Sequence, residues 1–502
     1  MTISAPDSTD DIQALAKGGR TNVFGFLLRL AARIPFLFIA GRLYGAEALG
    51  RFAYAILVVE FVAQIATMGL RRGLAETLSR EEKPPQHVVA DALLIGITAS
   101  LIGGALLIAV PQVMFPNSGI NGLDRLLPLI IAPIVITEIA LAALAYRFDI
   151  ASTVRARAIV EPWTISIAAW ALFYYSARDG LILSYVVSMA AAMVAALWPL
   201  WRSYGMPHGW RPRPAELIKI ARRNLPLAAA DAIEWGSRRL DLAILGLFAS
   251  PAIVGIYYVA QQVASLPQKL KTSFDPILGP VITRNLKDKN YAAIARQVGQ
   301  VGFWIIAAQA GIALALGIPG EAVMGLVGPE FVGGTAALAF LLAAEVAAAT
   351  AVVSEAALIY IARHRNMLIS LGMLGLQAAL SVALIFAADY LPVRESMEGL
   401  LKAAAVACAL MLALGVSSLV KSILLSQLLK APISILRWPL FAAIAVATLL
   451  GIGATYLPEW AELILGIPII LGAYSWIIWT KGFGEDDRIL FRKNKSEAKP
   501  EV

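Results

Sequence analysis

Residues 222–263 read RRNLPLAAADAIEWGSRRLDLAILGLFASPAIVGIYYVAQQV. From Leu225 to Ala249, and again from Pro251 onward, the run has membrane-crossing length, because a helix needs about 20 residues at about 1.5 Å each to cross a hydrocarbon core of about 30 Å. Yet the first run holds Asp231, Glu234, Arg238, Arg239 and Asp241. Asp231, Glu234, Arg238 and Asp241 follow spacings of 3, 4 and 3, one continuous stripe on a helix, with Arg239 beside it. A charge at the centre of a membrane helix costs about 2.5–3.5 kcal/mol by insertion scales, so the stripe does not face lipid. It borders water or another polar surface, and other helices must enclose it.

The rest of the chain agrees. Of 502 residues 59% are apolar and 15% charged, against roughly 25% charged in an ordinary soluble domain, which excludes a soluble enzyme. Apolar runs at 22–43, 48–70, 88–110, 126–146, 157–175, 180–200, 225–249, 251–273, 298–318, 334–361, 367–389, 398–421, 435–457 and 461–480 predict an all-α polytopic membrane protein of about 14 spans. Alternate connections are basic, with Arg71, Arg72, Arg80 and Lys83, then Arg147, Arg155 and Arg157, then six basic residues between Arg202 and Arg223. The opposite connections hold only Arg42, Arg125, Arg178 and Arg394. By the positive-inside rule both termini are cytoplasmic. The net charge of +8 is therefore topological and does not call for nucleic acid. The N-terminal stretch has three aspartates and no apolar centre, so it is not read as a secretory signal.

The halves repeat. Gly50-Arg51-Phe52-Ala53-Tyr54-Ala55 recurs as Gly255-Ile256-Tyr257-Tyr258-Val259-Ala260, each opening the second span of its half. This predicts a tail at 1–21, a first lobe of six helices at 22–200, a linker at 201–224, a second lobe at 225–421, two peripheral helices at 435–480, and a C-terminal tail at 481–502. The segment PAELIKIARRN within the linker is expected to lie as an amphipathic helix on the membrane surface. Duplicated helical halves with a site between them are the usual plan of secondary transporters.

No G-x-x-x-x-G-K-[ST] phosphate loop occurs, so ATP hydrolysis by that route is excluded. His87, His208 and His364 fall in loops and Cys408 is alone, so no zinc or iron cluster is expected. Asp486 and Asp487 are read as part of a solvated, charged tail rather than a metal motif. Short outer loops weigh against a membrane glycosyltransferase or polymerase. Arg51, within two turns of a span end, is expected to snorkel. Arg29 and Arg33, four apart on the first span, place two guanidinium groups on one face and suit an anion, the alternative being pairs with Glu60 and Glu138. Asp231, Glu234, Asp241 and Glu60 are the candidate carriers of a coupling ion, H+ or Na+; Asp231 is singled out because its own helix offers it no obvious partner. Gln261 and Gln262 are candidate sugar contacts, with bonding between helices as the alternative.

The 222–263 stretch, together with GRLYGAEALGRFAYAILVVEF at 41–61 and LVGPEFVGGTAALAFL at 326–341, resembles the polysaccharide-transporter family of the multidrug/oligosaccharidyl-lipid/polysaccharide exporter superfamily. The resemblance implies a flippase for a polyprenyl-pyrophosphate-linked oligosaccharide in the bacterial inner membrane, working by alternating access. Two six-helix lobes would enclose a cationic cavity to which Arg29, Arg33, Arg238 and Arg239 contribute. No cofactor is expected. The expected partners are the lipid-linked substrate, the bilayer and a polysaccharide polymerase complex, the chain itself being a monomer. The alternatives are a cation-coupled multidrug exporter of the same superfamily and a membrane-embedded transferase.

Overall fold

The computed structural model describes residues 34–272, 282–392, 394–433, 435–484 and 487–488. Arg29, Arg33 and Asp486 lie outside the described residues. Every regular element among the described residues is helical, as the sequence leads one to expect. The chain divides into two compact units, one ending at Tyr258 and the other beginning at Val259.

In the first unit a helical run from Ile34 ends at Gly45, whose φ of 79° only glycine adopts readily, and this turn separates the first and second apolar runs. There follow α1 (Gly45–Ala66), α2 (Leu70–Ser79), α3 (Pro85–Ala109), α4 (Ile131–Tyr146), α5 (Glu161–Phe173), α6 (Gly180–Tyr204), α7 (Pro214–Ser237), α8 (Leu240–Phe248) and the start of α9 (Pro251–Thr272). The second unit holds the rest of α9, then α10 (Tyr291–Gly317), α11 (Gly320–Val327), α12 (Thr335–Ile361), α13 (Arg363–Asp389), α14 (Glu395–Leu429), α15 (Trp438–Ala454) and α16 (Ile467–Ile477). Among the described residues nine helices are long and apolar enough to cross a membrane. The protein is a multi-pass membrane protein.

Two features differ from the simplest reading of the sequence. The amphipathic segment at 214–224 is not a separate surface helix but the opening of α7, which runs unbroken to Ser237. The helix breaks instead at Arg238-Arg239, where Gly236 and Ser237 are weak helix formers and Arg239 sits at φ −133°, ψ 9° before α8 resumes. The charged stripe is therefore split across two helices.

The repeated glycines meet. A Cβ on Gly50 would clash with the Pro251 carbonyl oxygen and lie 2.7 Å from the Gly255 nitrogen. A Cβ on Gly255 would clash with the Ala46 carbonyl oxygen and lie 2.9 Å from the Gly50 nitrogen. α1 and α9 thus cross backbone on backbone at the glycines that open the two similar strings, as small residues four apart allow. Asn117, in the loop after α3, donates to the carbonyl oxygens of Gly246 and Ala249, each at 2.9 Å, and so satisfies the C-terminal end of α8.

Arg51 does not snorkel. It is 6% exposed and donates to Asp124 at 2.8 Å, with Gly119 O and Ser118 as further acceptors and the Phe115 ring beneath it. The carboxylate of Asp124, supplied from the segment between α3 and α4, removes the reason to reach for solvent.

Candidate functional site

The site grows from the turn between α1 and α2. Met68 and Gly69 both take positive φ, 50° and 69°, and fold α2 back so that Gly69 lies against the α7 backbone. A Cβ there would approach Asn224 O to 2.6 Å and Ala228 N to 2.7 Å. This contact carries Arg71 and Arg72, two and three residues on, onto the acidic stripe of α7.

Asp231 is wholly buried and accepts from Arg72 Nε at 2.8 Å and from Arg71 at 3.3 Å. Glu234 accepts from Arg72 at 2.6 Å and from Arg238 at 3.1 Å. One turn further, Arg239 pairs with Glu60 of α1 at 3.5 Å and lies 4.8 Å over the Trp235 ring, while the Tyr185 hydroxyl of α6 donates to Glu60 at 2.7 Å. Asp241 accepts from Tyr257 at 2.7 Å, both groups being buried. Behind this network Arg157 joins Glu138 and Glu161.

Depth separates the charges. Arg71, Arg72, Arg238 and Arg239 keep between 37% and 64% of their side chains exposed, whereas Asp231 exposes none. A ligand reaching this face meets guanidinium groups first. The break between α7 and α8 adds to this, because the first amides of a helix have no partner within it and carry positive potential. Asp241, in the first turn of α8, answers part of that potential.

The structure thus brings together Arg238, Arg239, Asp231, Glu234 and Glu60 in the first unit, with Asp241 at its edge. Gln261 and Gln262, half-buried on α9, belong to the second unit. Arg71, Arg72 and Tyr185 are functional candidates that the sequence reading passed over. Asp231 takes its partners from α2, not from its own helix. Glu138, weighed as a partner for the first-span arginines, pairs with Arg157. Among the described residues no group of three or more metal-ligating side chains forms.

A model of the family described as polysaccharide biosynthesis protein matches residues 39–310, more than half of the chain. The chain belongs to this family. No curated protein sequence matches it. Among solved structures it is similar to the lipid II flippase MurJ in an inward closed conformation, at 13% identity and a TM-score of 0.67, covering 91% of this chain and 98% of that one. It is also similar to an inward-facing multidrug resistance MATE family transporter of the MOP superfamily, at 15% identity and a TM-score of 0.58, covering 86% and 97%. At such identities the likeness establishes the fold alone, an all-helical polytopic one. This member of the polysaccharide biosynthesis protein family therefore pairs an all-helical polytopic fold with an exposed cationic face.

Proposed function

We infer that the protein is a flippase, not an enzyme, that moves a polyprenyl-pyrophosphate-linked oligosaccharide across the bacterial cytoplasmic membrane for surface-polysaccharide synthesis by alternating access. This reading includes fourteen spans with both ends cytoplasmic, Arg29 and Arg33 as further cationic groups, and Gln261 and Gln262 as sugar contacts. The observation that carries it is the set of four exposed arginines gathered where a membrane helix breaks.

A diphosphate cannot enter hydrocarbon unaided. Four guanidinium groups against the carboxylates of Asp231, Glu234 and Glu60 leave one net positive charge. Ion pairs with exposed partners are worth only about 0–1 kcal/mol each, so the arginines are held weakly. A diphosphate offers them bidentate, charge-assisted hydrogen bonds and competes with the carboxylates, at little cost for the exposed Glu234 and at a larger one for the buried Asp231. The released carboxylates then take up H+ or Na+, which ties substrate movement to an ion gradient. Asp241, held by Tyr257, serves the α8–α9 hairpin in this scheme.

The test is complementation of a strain lacking the gene. Arg238→Ala and Arg239→Ala should each remain in the membrane yet fail to restore surface polymer, with lipid-linked intermediate accumulating. Normal polymer from both variants would falsify the assignment. The likeness to a multidrug transporter favours a second reading, export of organic cations. Against it, each carboxylate of the cluster is matched by an arginine, which leaves no acid for a cationic drug. Unchanged drug susceptibility in the deletion strain separates the two.

A further inference from the structure

The second unit holds a cavity of about 740 Å³ that the flippase reading does not use. Its floor is one face of the first turns of α10, where Ala295 and Gly299 are small enough to leave the space open, and its walls include Arg296, Gln300, Arg437 and Asp487. The sequence suggested a solvated tail for Asp487. The structure overturns that, because the carboxylate is buried and accepts from Arg437 at 2.5 Å, from Trp304 Nε1 at 2.9 Å and from the Gly484 amide at 3.0 Å. With that acid neutralised, the wall is cationic. Arg296 makes no ion pair among the described residues. Arg437 donates through one nitrogen only, Nη1, to Asp487 and to Gly482 O at 2.9 Å. Its remaining donors are fixed in place by the Phe303 ring, 4.1 Å beneath the guanidinium. The neighbouring segment 282–296 carries Arg284, Lys287, Lys289 and Arg296 against Asp288 alone.

We propose that this cavity binds a phosphate-bearing polar group, held by Arg296 and the spare donors of Arg437. Two arginines in a volume within the usual range for small-ligand sites suit a phosphate ester. Its source is either the headgroup of an anionic lipid or a soluble sugar phosphate. The site involves neither Arg238 nor Arg239, so it stands or falls apart from the flippase assignment.

The full-length protein in detergent is examined by native mass spectrometry with phosphatidylglycerol, with phosphatidylcholine, and with glucose 1-phosphate. Two variants accompany it: Arg296→Gln removes the unpaired charge, and Ala292→Trp fills the mouth of the cavity while keeping every charge. Both positions are exposed, so folding is preserved, and thermal unfolding matching the wild type verifies it. One adduct on the wild type, weakened at least about tenfold in both variants, is expected from loss of a charge-assisted bond. An adduct with phosphatidylglycerol but not phosphatidylcholine identifies the lipid source; one with glucose 1-phosphate identifies the soluble source. No adduct with either phosphate, or adducts that both variants retain undiminished, overturns the proposal.

Discussion

At the scale of single residues, burial decides what each carboxylate does. Asp231 is closed off from solvent while its partners Arg71 and Arg72 are not, so the two sides of the pair respond differently to substitution. Arg72→Ala strands a buried charge with one distant partner and should lower stability by about 1–3 kcal/mol, whereas Asp231→Asn removes the charge itself and should cost less; thermal unfolding of the purified variants measures both. Asp487 offers a pH test. Burial alone would raise its carboxyl, but hydrogen bonds from Arg437, the Gly484 amide and Trp304 outweigh that and hold it below the usual carboxylate range. A depressed folded-state value means that its contribution is complete above about pH 4, the unfolded value, and is lost as pH falls further. Asp487→Asn should therefore destabilise the protein at neutral pH by about 1–3 kcal/mol and flatten the acid limb of its stability profile. The charged face of α7 was legible because charges in apolar sequence stand out. Arg71, Arg72 and Asp487 were not, since basic loops and acidic tails have an adequate explanation in topology and solvation, and only the fold brings them to their partners.

At the scale of elements, the crossing of α1 and α9 and the break between α7 and α8 were legible to different degrees. The glycines at 50 and 255 recur at matching offsets, so a sequence comparison finds them, although not the contact they make. The break was hidden, because a 3-4-3 spacing fits one continuous helix and the weak propensity of Gly236-Ser237 is a small local signal beside it. The crossing predicts a sharp contrast between glycines. Gly50→Ala places a methyl group where Pro251 and Gly255 already stand and should cost at least about 1–3 kcal/mol by overpacking. Gly372→Ala, in α13, meets nothing within 4 Å and should be neutral or gain up to about 1 kcal/mol from helix propensity. Thermal unfolding of the two variants side by side reads the difference.

At the scale of the molecule, the all-helical polytopic fold was legible because composition and run length follow directly from the thickness of a bilayer. The sidedness drawn from basic loops makes its own prediction. In a Cys408→Ala background, a cysteine at Gly122 should react with an impermeant thiol reagent added to intact cells, and one at Arg211 should react only after the membrane is opened. Labelling in the reverse order would invert the topology. The α1–α9 crossing bears on how two helices of such a molecule are held. Interlocked side chains can trade one rotamer for another to make room, but here bare peptide rests on bare peptide. Such a joint has no slack: the spacing of the two rods is set by main-chain atoms alone, and each glycine is the clearance that the other helix occupies. A side chain at either one must wedge the rods apart, since neither has anything else to yield.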